Sequence, residues 1–181
     1  MRSLTITIAA CAVGLALSTG PGQAQTAPVT LQSEVLKDWS ALKSTLHAIA
    51  AEMPAEKYTY RPTPAQQTFG ERVVHIANVN AGILSTLDGG STPKPAIDAK
   101  ATTKDSALKA LDDSFDYGVA LLRTQTDTTL LQPVPSPPKF LGPSSRARIV
   151  TFLVGHTWDI YGQLVVYLRL NGLVPPASQR M

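Results

Sequence analysis

The chain has 181 residues, 44% hydrophobic and 16% charged, which is enough to bury one ordinary core and excludes a highly charged disordered chain. Lys and Arg total 16 against 13 Asp and Glu, a formal +3 spread without a basic run, so the charge gives no footprint for nucleic acid. One Cys rules out a disulfide framework or a cysteine-rich metal cluster, and with only three His a metal site would draw on nearly all of them.

Arg2, the mostly apolar stretch Leu4 to Leu17 and the small residues Gly22-Gln23-Ala24 read as a secretory signal cleaved after Ala24. Residues 1–24 are therefore assigned to the signal and 25–181 to one domain, exported to the periplasm or the medium. The apolar stretch falls short of the roughly 20 residues of a spanning helix. No second such stretch follows, so no membrane span is expected in the mature chain. Ile8-Ala9-Ala10-Cys11 loosely resembles a lipoprotein box. The segment before Cys11 is short for that role and the residues after it are still apolar, so processing that removes Cys11 is preferred.

Leu31, Val35, Trp39, Leu42, Leu46, Ile49 and Met53 recur at steps of four or three and predict a first helix closed by Pro54. Arg61-Pro62-Thr63-Pro64 forces a loop. Phe69, Val73, Ile76, Asn80, Leu84 and Leu87 predict a second helix ended by Asp88-Gly89-Gly90. Residues 91–103 are polar and interrupted by proline. A third helix follows through Ala107, Leu108, Leu111, Phe115, Val119 and Leu122, capped by Thr103 or Asp105. Gln132 to Pro143 holds five prolines and reads as a connector. Ser144 or Ser145 caps a last long helix through Ile149, Val150, Leu153, Thr157, Ile160, Leu164 and Leu168, stopped by Asn171-Gly172, with Pro175-Pro176 preventing its resumption. No alternating runs joined by tight turns appear, so the fold class is all-α, a four-helix bundle.

His156 lies at the margin of the core stripe of the last helix, where the bland reading is a ring hydrogen-bonded in the core. His75 borders the stripe of the second helix one turn after Glu71, which makes Glu71 and His75 a candidate carboxylate–imidazole pair. His47 falls off the stripe of the first helix and reads as a surface residue. Trp39 and Trp158 are candidates to flank an apolar pocket, although aromatic residues at helical spacing more commonly build core. Tyr161, Gln163 and Arg169 more commonly tie helices together than orient a ligand, and Arg61 more commonly anchors its loop than binds an anion. Ser144 and Ser145 lie in no nucleophile elbow.

Met53-Pro54-Ala55-Glu56-Lys57-Tyr58, Tyr60-Arg61-Pro62-Thr63-Pro64, Phe69-Gly70-Glu71 and Val74-His75-Ile76-Ala77 resemble the first half of DinB-like proteins. His156-Thr157-Trp158-Asp159, Tyr161-Gly162-Gln163-Leu164, Tyr167-Leu168-Arg169, Asn171-Gly172 and Val174-Pro175-Pro176 are similar to that family's last helix and its exit. The resemblance implies a four-helix bundle of up-down-down-up topology, often a homodimer. Its better-known members hold a divalent metal such as zinc or nickel with three histidines, one in the second helix and an H-x-x-x-H pair in the last. Some are thiol-dependent transferases or isomerases.

His75 matches the first metal position and His156 the second, while the third is occupied by Ile160, which cannot ligate. Glu71 is the auxiliary candidate, since Asp159 sits three rather than four residues from His156 and His47 is on the wrong face. The expectation is a degenerate divalent-metal or small-molecule site between the second and last helices, with His75 and His156 facing one cavity and metal weakly bound or absent. The alternatives are an active metal-dependent hydrolase or thiol-dependent transferase, and a non-catalytic envelope protein that binds a ligand or partner. A homodimer is expected from the resemblance, and the apolar outer faces of the first and last long helices suit one.

Overall fold

A computed structural model describes residues 28–179, and the signal assigned to residues 1–24, with Cys11, lies outside the described residues. Six α-helices follow in order: α1 Leu31–Glu52, α2 Phe69–Leu84, α3 Lys104–Arg123, α4 Asp127–Leu131, α5 Arg146–Leu170 and α6 Pro176–Gln179. No strand is present among the described residues, only an isolated bridge between Pro133 and Ser145. The all-α expectation holds, with four long helices carrying the core.

Local chemistry fixes the helix starts. Thr30 and Ser33 form a capping box at α1, and Thr68 and Glu71 form another at α2. Thr103 occupies the cap position of α3 and Ser145 that of α5, whose Oγ accepts from the Arg148 amide. Asp127, the first residue of α4, reaches back to accept from the amides of Leu31 (3.2 Å) and Gln32 (2.8 Å), placing a carboxylate at the positive end of α1. At the far end of α5, Gly172 takes φ +73 while its amide and that of Leu173 bond to Arg169 O and Leu168 O, a glycine-terminated stop.

Hydrogen bonds between helix ends give the relative directions. Lys104 Nζ donates to Ala51 O at 2.6 Å and Asp127 meets the start of α1, so α1 and α3 run antiparallel. Arg146 Nε donates to Leu87 O at 2.8 Å, and Tyr167 Oη donates to Gln67 O at 2.7 Å, so α2 and α5 also run antiparallel. α3 packs closely against both α1 and α2, while α5 closes the other side of the bundle.

Two glycines explain how closely α3 is approached. A Cβ on Gly118 would lie 2.5 Å from Trp39 Nε1, and the fully buried Trp39 indole donates to Phe115 O at 3.0 Å across this contact. A Cβ on Gly70 would lie 2.1 Å from Thr102 O, so the start of α2 meets the strand of chain entering α3 only because the side chain is missing.

Three local readings are corrected. The helical part of α2 stops at Leu84, because Ser85 Oγ and Thr86 Oγ1 bond back to Gly82 O and Ile83 O and open a turn, although Leu87 stays buried. A short helix, α4, precedes the proline-rich connector, seeded by the Thr126 and Thr129 capping box. The proline pair near the end does not bar helix: Pro176 starts α6, the one position where a missing N–H costs nothing.

Candidate functional site

α2 and α5 bring His75 and His156 together. Their ring centroids are 5.3 Å apart with the planes inclined by 54°. Two imidazoles bound at roughly 2.0–2.1 Å to one tetrahedral ion would have centroids about 5 Å apart, so this spacing suits two ligands of one centre. His75 lines an open cleft of about 230 Å³ with Gln67, Glu71, Val74, Asn78 and Ala99. His156 does not line this cleft. The ring of Phe152 stacks on His156 at 6.1 Å and 23°, and the exposed Phe140 of the connector packs on Phe152 at 5.4 Å.

Both rings favour the neutral form. Burial pushes His75 below the ordinary imidazole value, and the nearby Arg72 charge adds to the effect. Burial likewise lowers His156, reinforced by His75 and partly opposed by the carboxylate of Asp159. A neutral imidazole carries one N–H and one lone pair, which is the state that binds metal or accepts a proton.

The seam is under-partnered. His156 Nδ1, Arg72 Nε, Thr157 Oγ1 and both side-chain polar atoms of Asn80 are buried without a hydrogen-bond partner among the described residues. Asn80 and Thr157 are fully enclosed in the core. Such atoms are expensive to leave unpaired, and all of them belong to α2 and α5.

The remaining donors do not complete a metal site. Ile160, one turn beyond His156, is buried and packs in the core. Glu71 borders the cleft, but its Oε2 accepts from the Thr68 amide at 2.7 Å as the capping carboxylate of α2, in place of a bond to His75. Asp159 is exposed and accepts from Gln163 Nε2 at 3.0 Å. His47 lies on another face, its Nδ1 3.1 Å from Asp112 Oδ1. No group of three His, Cys, Asp or Glu poised around one point occurs among the described residues. The three-ligand centre implied by the resemblance is therefore not matched by the side chains present.

Other singled-out residues separate from this seam. Trp39 is core against α3, whereas Trp158 is 47% exposed and stands edge-on to Tyr161, so the two tryptophans share no pocket. Tyr167 ties α5 to the loop before α2, and Arg61 is exposed. Sequence reading missed Phe140, Phe152 and Arg72; Phe152 lies one turn before His156, a spacing that could have drawn attention to it. It also missed Arg146 and Arg148, which hold the chain entering α5 by bonds to Leu87 O, Thr129 O, Leu141 O and Pro143 O.

A sequence profile of the DinB superfamily matches residues 39–164, more than half of the chain and a span that includes both histidines. No curated protein matches. Among solved structures, the chain is similar to a DinB-like protein from Bacillus cereus ATCC 10987, with a TM-score of 0.70 and 20% identity over 81% of this chain and 96% of that one. At that identity the likeness speaks for the fold, which agrees with the four long helices. Profile and fold together place the chain in the DinB superfamily.

Proposed function

We propose that this chain is an exported DinB-like domain that binds a small polar molecule at the cleft beside His75, with His156 next to that ring and with any divalent ion held only weakly. The observation that carries the reading is the pairing of two neutral-favouring imidazoles at 5.3 Å beside a cleft lined by Gln67, Glu71 and Asn78. The polar lining offers donors and acceptors for a hydroxyl, amide or amine, while Phe152 holds His156 in place from the other side. Hydrolysis or thiol transfer through a bound ion is not proposed, because among the described residues the donor set stops at two imidazoles and Ile160 fills the third corner with an aliphatic side chain.

The test is metal per chain, measured by mass spectrometry after purification without chelators and again after incubation with zinc or nickel. Wild type is expected to hold well below one equivalent, whereas Ile160→His, which supplies the missing ligand, gains a stoichiometric ion. One firmly held equivalent in wild type that disappears in His75→Ala would contradict the reading and restore the metalloenzyme alternative. Export rests on the N-terminal sequence, and amino-terminal sequencing of protein recovered outside the cytoplasm is expected to begin at Gln25.

A further inference from the structure

A separate cavity lies on the side of α5 turned away from the paired histidines. At about 100° per residue, Trp158 and Tyr161 stand roughly 160° and 140° around the helix from His156. Three residues apart, they are neighbours on the helix surface. Their rings meet at 82° with centroids 5.2 Å apart. α1 lines the same cavity with the short side chains of Thr45 and Ala48, and the chain leaving the buried Pro175 brings up Pro176 and Ala177 of α6, which packs on α1. The rings come from α5 alone and most of what faces the cavity from α1 and α6 is small, which leaves a space of about 280 Å³.

The lining says what fits. None of its side chains carries a charge at neutral pH, so an ionic ligand would lose water there without gaining a counter-charge. Two rings at right angles make a corner in which a third ring lying flat on one stands edge-on to the other, the two arrangements that aromatic pairs prefer. A saturated ring gains neither. A cavity of about 150 Å³ is enough for benzene, so this one has room for two fused rings. The Thr45 hydroxyl donates to Ala41 O at 3.0 Å and keeps its lone pairs, so it can accept from an O–H or N–H on the rim of such a ring. Trp158 is 47% exposed, which gives a ligand a way in from solvent past that indole. We propose that this cavity is a binding site for an uncharged planar aromatic compound of one or two rings carrying a hydroxyl or a ring N–H, of the phenol or indole type, held in the Trp158–Tyr161 corner against α1.

The test is calorimetric titration of protein expressed from its full coding sequence with 2-naphthol, with its saturated counterpart decahydro-2-naphthol and with the anion 2-naphthoate, together with heteronuclear NMR in the presence of 2-naphthol. 2-Naphthol is expected to bind saturably at one site per chain and to shift the indole N–H of Trp158 while leaving the amide of Asn78 in place. The saturated alcohol and the anion should bind at least tenfold more weakly. Trp158→Ala, at a half-exposed position, and Ala48→Met, which fills the space from α1 without removing a ring, should each weaken 2-naphthol at least tenfold with unchanged helical circular dichroism. Absence of saturable binding overturns the proposal, whether or not a second copy of the chain covers Trp158. Equal affinity for the saturated alcohol or the anion, shifts centred on His75 and Asn78, or an affinity indifferent to either variant also overturns it.

Discussion

A positive charge on His156 would be housed against Phe152 and next to His75, in surroundings that offer it only the exposed carboxylate of Asp159. Folding therefore holds both rings below their ordinary value of about 6.5, and the folded state takes up fewer protons than the unfolded chain in the acid range. The sign follows: stability from the neutral pair is fully present above about pH 6.5 and is lost as the pH falls through the depressed folded-state values. Urea unfolding midpoints should thus decline between pH 7.5 and 5.5, and replacing both histidines by Gln should flatten that slope. An unchanged slope in the double variant would show that other groups set it. At this scale the sequence was informative about position and silent about surroundings. Helical spacing puts His75 and His156 at the edges of two core stripes, whereas the Phe140 and Phe152 stack depends on how the proline-rich connector returns to α5. Glu71 shows the converse: its spacing from His75 suggests a pair, but the amides at the start of α2 lack intrahelical partners, and the carboxylate goes to that of Thr68.

Among the elements, α3 is the one the bundle is fitted around. The Trp39 indole lies so close to Gly118 that a single added methyl group has no free space, so Gly118→Ala must displace Trp39 from its bond to Phe115 O or push α1 outward. Overpacking of this kind costs about 1–3 kcal/mol, more than the gain in helix propensity from glycine to alanine of roughly 1 kcal/mol. Gly118→Ala is expected to lower urea stability and to shift tryptophan fluorescence; a stabilised variant with native fluorescence would show that the interface has slack. Gly162→Ala, with open space at its Cβ, should not lower the stability of the single chain. The four long helices were legible because each repeats its apolar stripe over several turns. α4 and α6 were not, since five and four residues are too few to show a period, and the ends of α2 were set by Ser85 and Thr86 bonding backwards, which hydropathy does not register.

Across the whole molecule, the buried polar atoms without partners fall on α2 and α5. Around α3 the buried contacts are mainly aromatic, aliphatic and glycine-mediated, with Lys43–Asp116 and His47–Asp112 pairing at the rim. Along α2 and α5 the bundle keeps paired imidazoles, a buried Asn80 and Thr157 without partners, and an open cleft. Tolerance of such unpaired groups makes sense if that side binds something, and Ile160 indicates that a three-imidazole ion is not it. The most direct test is anomalous diffraction at the zinc edge from zinc-soaked crystals of wild type and of Ile160→His. A full-occupancy peak between residues 75, 156 and 160 is predicted in the variant alone; a peak of equal strength at His75 and His156 in wild type would contradict the account.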